Sequence, residues 1–148
     1  MSKLTDKKVI YRIIDANINR LKEGLRVCEE ITRFILEKRS LTKMFKDIRH
    51  RVDALVKKLP EKQTLLRYRA SATDIGRNLT NKGEKTRKEL SDILFANIQR
   101  SKESVRVLEE FSKLTDPEVS GSFKDIRYRI YELEKNITQK ISALRNRR

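Results

Sequence analysis

The stretch DANINRLKEGLRVCEE, Asp15 to Glu30, decides how this chain is read, because it returns as FANIQRSKESVRVLEE from Phe95 to Glu110. With Asn17 set on Asn97 the offset is 80, and ten of the fifteen positions from Ala16 to Glu30 are identical to their partners. A second block follows in each half: FKDIRHRVDAL from Phe45 matches FKDIRYRIYEL from Phe123 at an offset of 78, with seven identities in eleven. Two blocks repeated in the same order mark an internal duplication. The repeat halves run over about 8–59 and 84–145, within a single domain of 1–148.

Each block has a helical period. Ile14, Ile18, Leu21, Leu25, Cys28, Thr32 and Ile35 form one seam, and Ile10, Ile13, Asn17, Arg20, Gly24, Val27, Ile31 and Phe34 a second beside it. The joint face is broader than a two-stranded coiled coil needs and suits a bundle. A second helix carries Leu41, Phe45, Ile48, Val52, Leu55 and Leu59 and ends before Pro60. A third starts near Glu84 after Gly83, and a fourth opens at Asp116-Pro117, a cap followed by the proline favoured at the first helical position. The expected fold is all-α: a four-helix bundle of two duplicated hairpins with a long central connection from about Pro60 to Gly83. Leu65, Leu66, Tyr68 and Ile75 are too apolar for a disordered tether, so the connection should pack over one end of the bundle.

The polar members of the stripe carry the functional argument. At about 100° per residue, Asn17 and Gly24 point near the middle of the apolar face, with Arg20 and Glu23 towards its edge. Asn97, Ser104, Arg100 and Glu103 repeat the arrangement. An unpaired buried amide costs about 1–3 kcal/mol, and a lone charge more. The asparagines could bond across the bundle to fix register. Alternatively, the small residues Gly24 and Ser104 leave volume beside amides and guanidinium groups, which describes a ligand pocket. Arg49 and Arg127 flank the stripes of the second and fourth helices and can lean towards the same cavity. Glu23, Glu30, Glu103 and Glu110 lie at i and i+7 and could hold Mg²⁺ with waters and phosphate oxygens. No Glu-x-x-His pair supports a di-iron centre, and no P-loop is present. Cys28, on the seam, reads as a small core residue.

Composition narrows the classes. The chain has 148 residues, 37% hydrophobic and 39% charged, with four Gly and two Pro, which suits a solvated helical protein. No stretch approaches the ~18 apolar residues of a membrane span, and the start MSKLTDKKVIYR is unlike a signal peptide. One cysteine excludes a disulfide framework and points to a reducing, cytoplasmic setting. The net charge of +15 calls for an anionic partner or a basic solvated surface.

RIIDANINRLKEGLRVCEE, FKDIRH, LLRYRASATDIG, ANIQRSKESVRVLEEFSKL and FKDIRYRIYELE together resemble the small hydroxymethylpyrimidine phosphate kinase family, the short type also found fused ahead of thiamine-phosphate synthase. The resemblance covers roughly Arg12 to Lys135. It implies ATP-dependent phosphorylation of 4-amino-5-hydroxymethyl-2-methylpyrimidine phosphate to the diphosphate, with Mg²⁺, for thiamine synthesis. On that footing Arg20, Arg49, Arg69, Arg100 and Arg127 hold the phosphates, since arginine suits bidentate recognition of such groups. Asn17 and Asn97 contact the pyrimidine or phosphate oxygens. Glu23 and Glu103 hold the metal or orient the arginines, Asp74 orients the attacking oxygen or the metal, and Gly76 lets the loop approach the ligand. One departure stands out: the family pattern has Arg-Asp where this chain has Arg69-Ala70. The product would pass to a separate thiamine-phosphate synthase, and a homo-oligomer is compatible with the sequence. Two other classes stay open. One is a basic helical nucleic-acid-binding module, disfavoured by the absence of Trp and only four Tyr. The other is an inactive metabolite-binding paralogue.

Overall fold

The computed structural model describes residues 6–59 and 62–147; Pro60, the expected stop of the second helix, lies outside them. The described chain is all-α, with no strand among the described residues. Six α-helices follow one another: α1 (Lys7–Glu30), α2 (Arg39–Val56), α3 (Lys62–Tyr68), α4 (Lys82–Lys85), α5 (Leu90–Ser112) and α6 (Pro117–Arg145). The four long helices touch in the cyclic order α1, α2, α6, α5, and α3 lies on α1. No helix among the described residues is long and apolar enough to cross a membrane.

Local chemistry sets the helix ends. Asp6 caps α1 by accepting from the Lys8 amide at 2.9 Å. Asp116 caps α6 by accepting from the Glu118 and Val119 amides at 3.1 and 3.3 Å, with Pro117 at the first turn as expected. The third long helix starts later than Glu84. Glu89 and Asp92 form a reciprocal capping box that starts α5 at Leu90, and only the single turn of α4 forms around Gly83.

Leu21, Leu25, Cys28, Phe45, Val52, Val105, Leu108, Phe123, Ile130 and Ile137 fill the core. The repeat-related Phe45 and Phe123 are both fully buried. Phe34 and Ile35, expected on the seams of the first helix, are instead 62% and 56% exposed. A π-helical turn, Ile31–Ile35, explains this: its wider spacing rotates the apolar stripe out of phase at the end of α1. The chain then reverses through Glu37, whose φ of 50° lies in the left-handed region.

The duplication is repeated in three dimensions. Glu29 accepts from Arg49 Nε at 2.8 Å and Nη2 at 3.4 Å, and Glu109 accepts from Arg127 Nε and Nη2 at the same two distances. Asn17 Nδ2 donates to the Ile13 carbonyl at 2.8 Å, and Asn97 Nδ2 to the Ile93 carbonyl at 2.7 Å. Both asparagines thus bond back to their own helix, not across the bundle.

α1 and α5 run antiparallel. Gly24 meets Asn97 and Ser101, the Cys28 thiol donates to the Leu94 carbonyl at 3.6 Å, and Val107 sits beside Ile13 and Ala16. Gly24 does not leave open volume. A Cβ there would overlap Ser101 Oγ and come within 2.8 Å of the Asn97 carbonyl oxygen, so the space is taken by the close approach of α5. Ser104, its counterpart, is buried and donates to the Arg100 carbonyl at 2.6 Å.

The connection packs only in part. Leu65 of α3 is buried and the Tyr68 ring lies 6.1 Å from that of Tyr11. After a short 3₁₀ turn, Ser71–Thr73, the chain stays exposed: Ile75, expected to pack, is 90% exposed and Leu66 is 41% exposed.

Candidate functional site

A cleft of about 800 Å³ opens where the connection passes the N-terminal half of α1, a volume suited to a small ligand. Val9, Ile13, Ala16 and Val107 give it apolar surface; Asn17, Asn19, Arg12 and Arg20 contribute polar groups from α1. Arg69, Ala70, Ser71, Thr73, Asp74 and Ile75 come from the connection, and Asp15 faces Arg69.

The helix period sets this arrangement. Residues 9, 13, 16, 17 and 20 recur at three- and four-residue steps and form one strip of α1 beside α5. Asn17 is buried, and its Oδ1 accepts from Arg20 Nη1 at 3.4 Å. Arg20 itself is exposed to the cleft. Asp74 Oδ1 accepts from the Gly76 amide at 2.8 Å, a local turn that fixes one carboxylate oxygen. Gly76 does not line the cleft; its amide serves Asp74.

Of the candidates read from sequence, Asn17, Arg20, Arg69 and Asp74 come together here. Asn97 and Arg100 do not. Gly24 meets Asn97, and Gly24 lies seven residues beyond Asn17, about 10 Å of helix. The two asparagine clusters are therefore separated along the bundle instead of converging on one guest. Arg49 and Arg127 also stay away. The carboxylates of Glu29 and Glu109 are only 3% and 5% exposed and take both arginines as partners, as buried charges must. Burial pushes the Glu29 carboxyl up, but hydrogen bonds and charge from Arg49 and Arg26 outweigh it and bring its pKa below the usual range. Burial likewise opposes, and Arg127 and Arg106 reverse, the shift at Glu109. Arg49 and Arg127 are correspondingly raised, first by their hydrogen bonds to Glu29 and Glu109. The Cys28 thiol is pushed up to about 12 by burial, so it is a core group and not a nucleophile.

The glutamates proposed for a metal are dispersed. Glu30 pairs with Arg26 at 3.8 Å, Glu110 with Arg106 at 2.9 Å and Lys113 at 2.7 Å, and Glu103 accepts from Gln99 at 3.0 Å. Glu23 and Glu103 are exposed outside the cleft lining. Among the described residues no group of three His, Cys, Asp or Glu side chains gathers to hold a metal. These four do not fit a protein-built Mg²⁺ site.

Sequence reasoning missed Arg12, Asp15 and Asn19. Their signal lay in the differences between the halves, not the identities. Arg12, Asp15 and Asn19 stand opposite Asp92, Phe95 and Gln99, so the second half carries no arginine where Arg12 stands and no carboxylate where Asp15 stands.

A second cavity, about 510 Å³, lies at the far end between Ile31, Leu36, Leu90, Leu94, Ile141 and Leu144, rimmed by Lys38, Glu89 and Arg145. It is mainly apolar and carries none of the repeated signature.

Known proteins extend the reading. A thiamine-phosphate synthase of Synechocystis sp. is 42% identical over 129 residues, covering 86% of this chain and 36% of that protein. One from Thermosynechococcus vestitus is 40% identical over 137 residues, covering 87% and 35%. One from Rhodopirellula baltica is 34% identical over 142 residues, covering 96% and 38%. The chain thus spans roughly a third of the length of the curated relatives it matches. No solved structure matches it. The ThiD2 family model matches residues 12–136, taking in both copies of the signature, the connection and the whole cleft strip from Arg12 onward, and the chain belongs to that family.

Proposed function

We propose that this chain is a kinase of thiamine biosynthesis that transfers the γ-phosphoryl group of ATP to hydroxymethylpyrimidine phosphate, giving the diphosphate. The observation that carries the reading is the meeting of Asn17 and Arg20, from the first copy of the signature, with Asp74 of the connection in one cleft. Relatives named thiamine-phosphate synthase contain the matching region, which supports a place in the same pathway.

The chemistry asks for positioning and charge neutralisation more than for covalent work. An oxygen of the substrate's phosphate attacks the γ-phosphorus, the bond to the bridging oxygen breaks, and ADP leaves with the electron pair. A phosphate monoester is largely deprotonated near pH 7, so the nucleophile needs orientation but no strong base. Arg12 and Arg20 would neutralise phosphate oxygens, Asn17 would read the aminopyrimidine or a phosphate, and Asp74 would orient the attacking group. The apolar strip of Val9, Ile13, Ala16 and Val107 would receive the ring. Mg²⁺ would arrive bound to ATP, and no step is assigned to a metal held by Glu23, Glu30, Glu103 or Glu110.

The test is ADP release by purified protein given MgATP, with and without hydroxymethylpyrimidine phosphate. The reading requires release that depends on the pyrimidine. Its absence at high protein concentration would refute it. One observation favours a second reading, a metabolite-binding chain without turnover: Ala70 sits in the cleft wall where the family resemblance has an acid. That reading predicts pyrimidine phosphate binding by calorimetry with no ADP formed.

A further inference from the structure

We propose that Asp15 is a positioning residue: by clamping Arg69 it holds the segment from Ala70 to Ile75 across the cleft, and this clamp, not phosphate recognition, is the role of Arg69. The inference rests on the functional reading above for its kinetic consequence but stands on geometry of its own.

Asp15 is 7% exposed, although it is a carboxylate on a helix flank. Its two oxygens accept from Arg69 Nε and Nη2, each at 2.7 Å, across 54 residues of sequence. This is the bidentate geometry in which a guanidinium group is most specific and most strongly held. It engages the Nε and Nη2 donors of the guanidinium group and so fixes the direction of the Arg69 side chain.

The segment beyond Arg69 has little else to fix it. Residues 71–81 are all exposed. Among the described residues their hydrogen bonds are local: the Thr73 amide and hydroxyl donate to the Ala70 carbonyl, the Asp74, Arg77 and Leu79 amides to the carbonyls of Ser71, Asp74 and Gly76, the Gly76 amide to the Asp74 carboxylate, and the Asn81 carbonyl accepts from the Glu84 amide. The tether to the body is at the start, where Leu65 is buried and Arg69 reaches Asp15. The duplicate provides an internal comparison. Its equivalent of Asp15 is Phe95, so the acid is not part of the repeated signature and belongs to the half whose helix the connection packs against.

The experiment compares wild type, Asp15→Asn, Arg69→Lys and the charge swap Asp15→Arg with Arg69→Asp. Amide hydrogen exchange of residues 70–79 reads the clamp, and steady-state kinetics with MgATP and hydroxymethylpyrimidine phosphate read its effect. Asp15→Asn should speed exchange in 70–79 by about tenfold and raise KM by a similar factor, with kcat changed less. The swap should restore both. Unchanged exchange in Asp15→Asn overturns the proposal. So does a swap that restores protection while KM stays high, because Arg69 would then touch substrate. If Asp15→Asn fails to fold by circular dichroism, exchange in Arg69→Lys, changed at the exposed end of the pair, decides the matter by the same criterion. A wild type without turnover refutes the kinase reading alone, since exchange still tests the clamp.

Discussion

Replacing Gly24 by alanine probes the α1–α5 crossing with two opposed magnitudes. In an open helix the change would stabilise by about 1 kcal/mol, because glycine is the poorer helix former. Here the added Cβ would overlap Ser101 Oγ and lie 2.8 Å from the Asn97 carbonyl oxygen. The serine can be removed, but the carbonyl belongs to the backbone of α5, so relief requires the two helices to separate. Overpacking of this kind costs about 1–3 kcal/mol, and lost contacts along α1 and α5 add to it. We expect a net loss of about 1–2 kcal/mol and a Tm lower by about 3–6 °C for a chain of this size. Ser101→Ala in the same chain removes the Oγ overlap and leaves Ser101 Cβ at 3.6 Å, so it should recover part of the loss but not all. Urea unfolding of the four chains of this double-mutant cycle provides the comparison. A gain of about 1 kcal/mol in Gly24→Ala, as for an uncrowded glycine, would refute the close crossing.

Glu29→Gln and Glu109→Gln should each destabilise by about 2–3 kcal/mol in urea unfolding, since each leaves a mostly buried guanidinium without its countercharge while the arginine retains some route to water. Both carboxyls titrate below their ordinary values, so at acid pH the unfolded chain binds more protons than the folded one. Their contribution is therefore complete above about pH 4.3 and lost as pH falls through the folded values; a Glu29→Gln/Glu109→Gln chain should show a flatter stability profile between about pH 5 and 3. Arg20→Ala should lower kcat/KM by about 100-fold with Tm nearly unchanged, because Arg20 is exposed and its bond to Asn17 is long, 3.4 Å. Cys28, fully buried with its thiol pushed up to about 12, should resist a thiol reagent in the native protein and react at once in denaturant.

Much of the fold is legible in the sequence because the duplication states it twice. The seam through Ile14, Leu21 and Leu25 and the stripe through Phe45, Ile48 and Val52 are core, and Asp116-Pro117 starts α6. What periodicity does not show is a change of period: the π turn at Ile31–Ile35 leaves no local signal and turns two expected core residues outward. Gly24 illustrates a second limit. A small residue on a polar stripe is the same in sequence whether it lines a cavity or admits a neighbouring backbone, and only the position of α5 decides. The candidate site divides similarly. Asn17 and Arg20 are readable because they interrupt an apolar stripe. Arg49 and Arg127 look equally available until the buried Glu29 and Glu109 are seen to require them. Asp15 is silent, since its partner lies 54 residues away on a different element.

The central claim is that the cleft between Asn17, Arg20 and Asp74 brings two phosphorylated molecules together for transfer. Phosphorus NMR of one sample containing the protein, MgATP and hydroxymethylpyrimidine phosphate tests it most directly. The account requires the monophosphate resonance to decline as a new pair of coupled diphosphate signals, distinct from those of ADP, grows in equal proportion. A spectrum in which ATP is lost only to ADP and inorganic phosphate, or not at all, would contradict it.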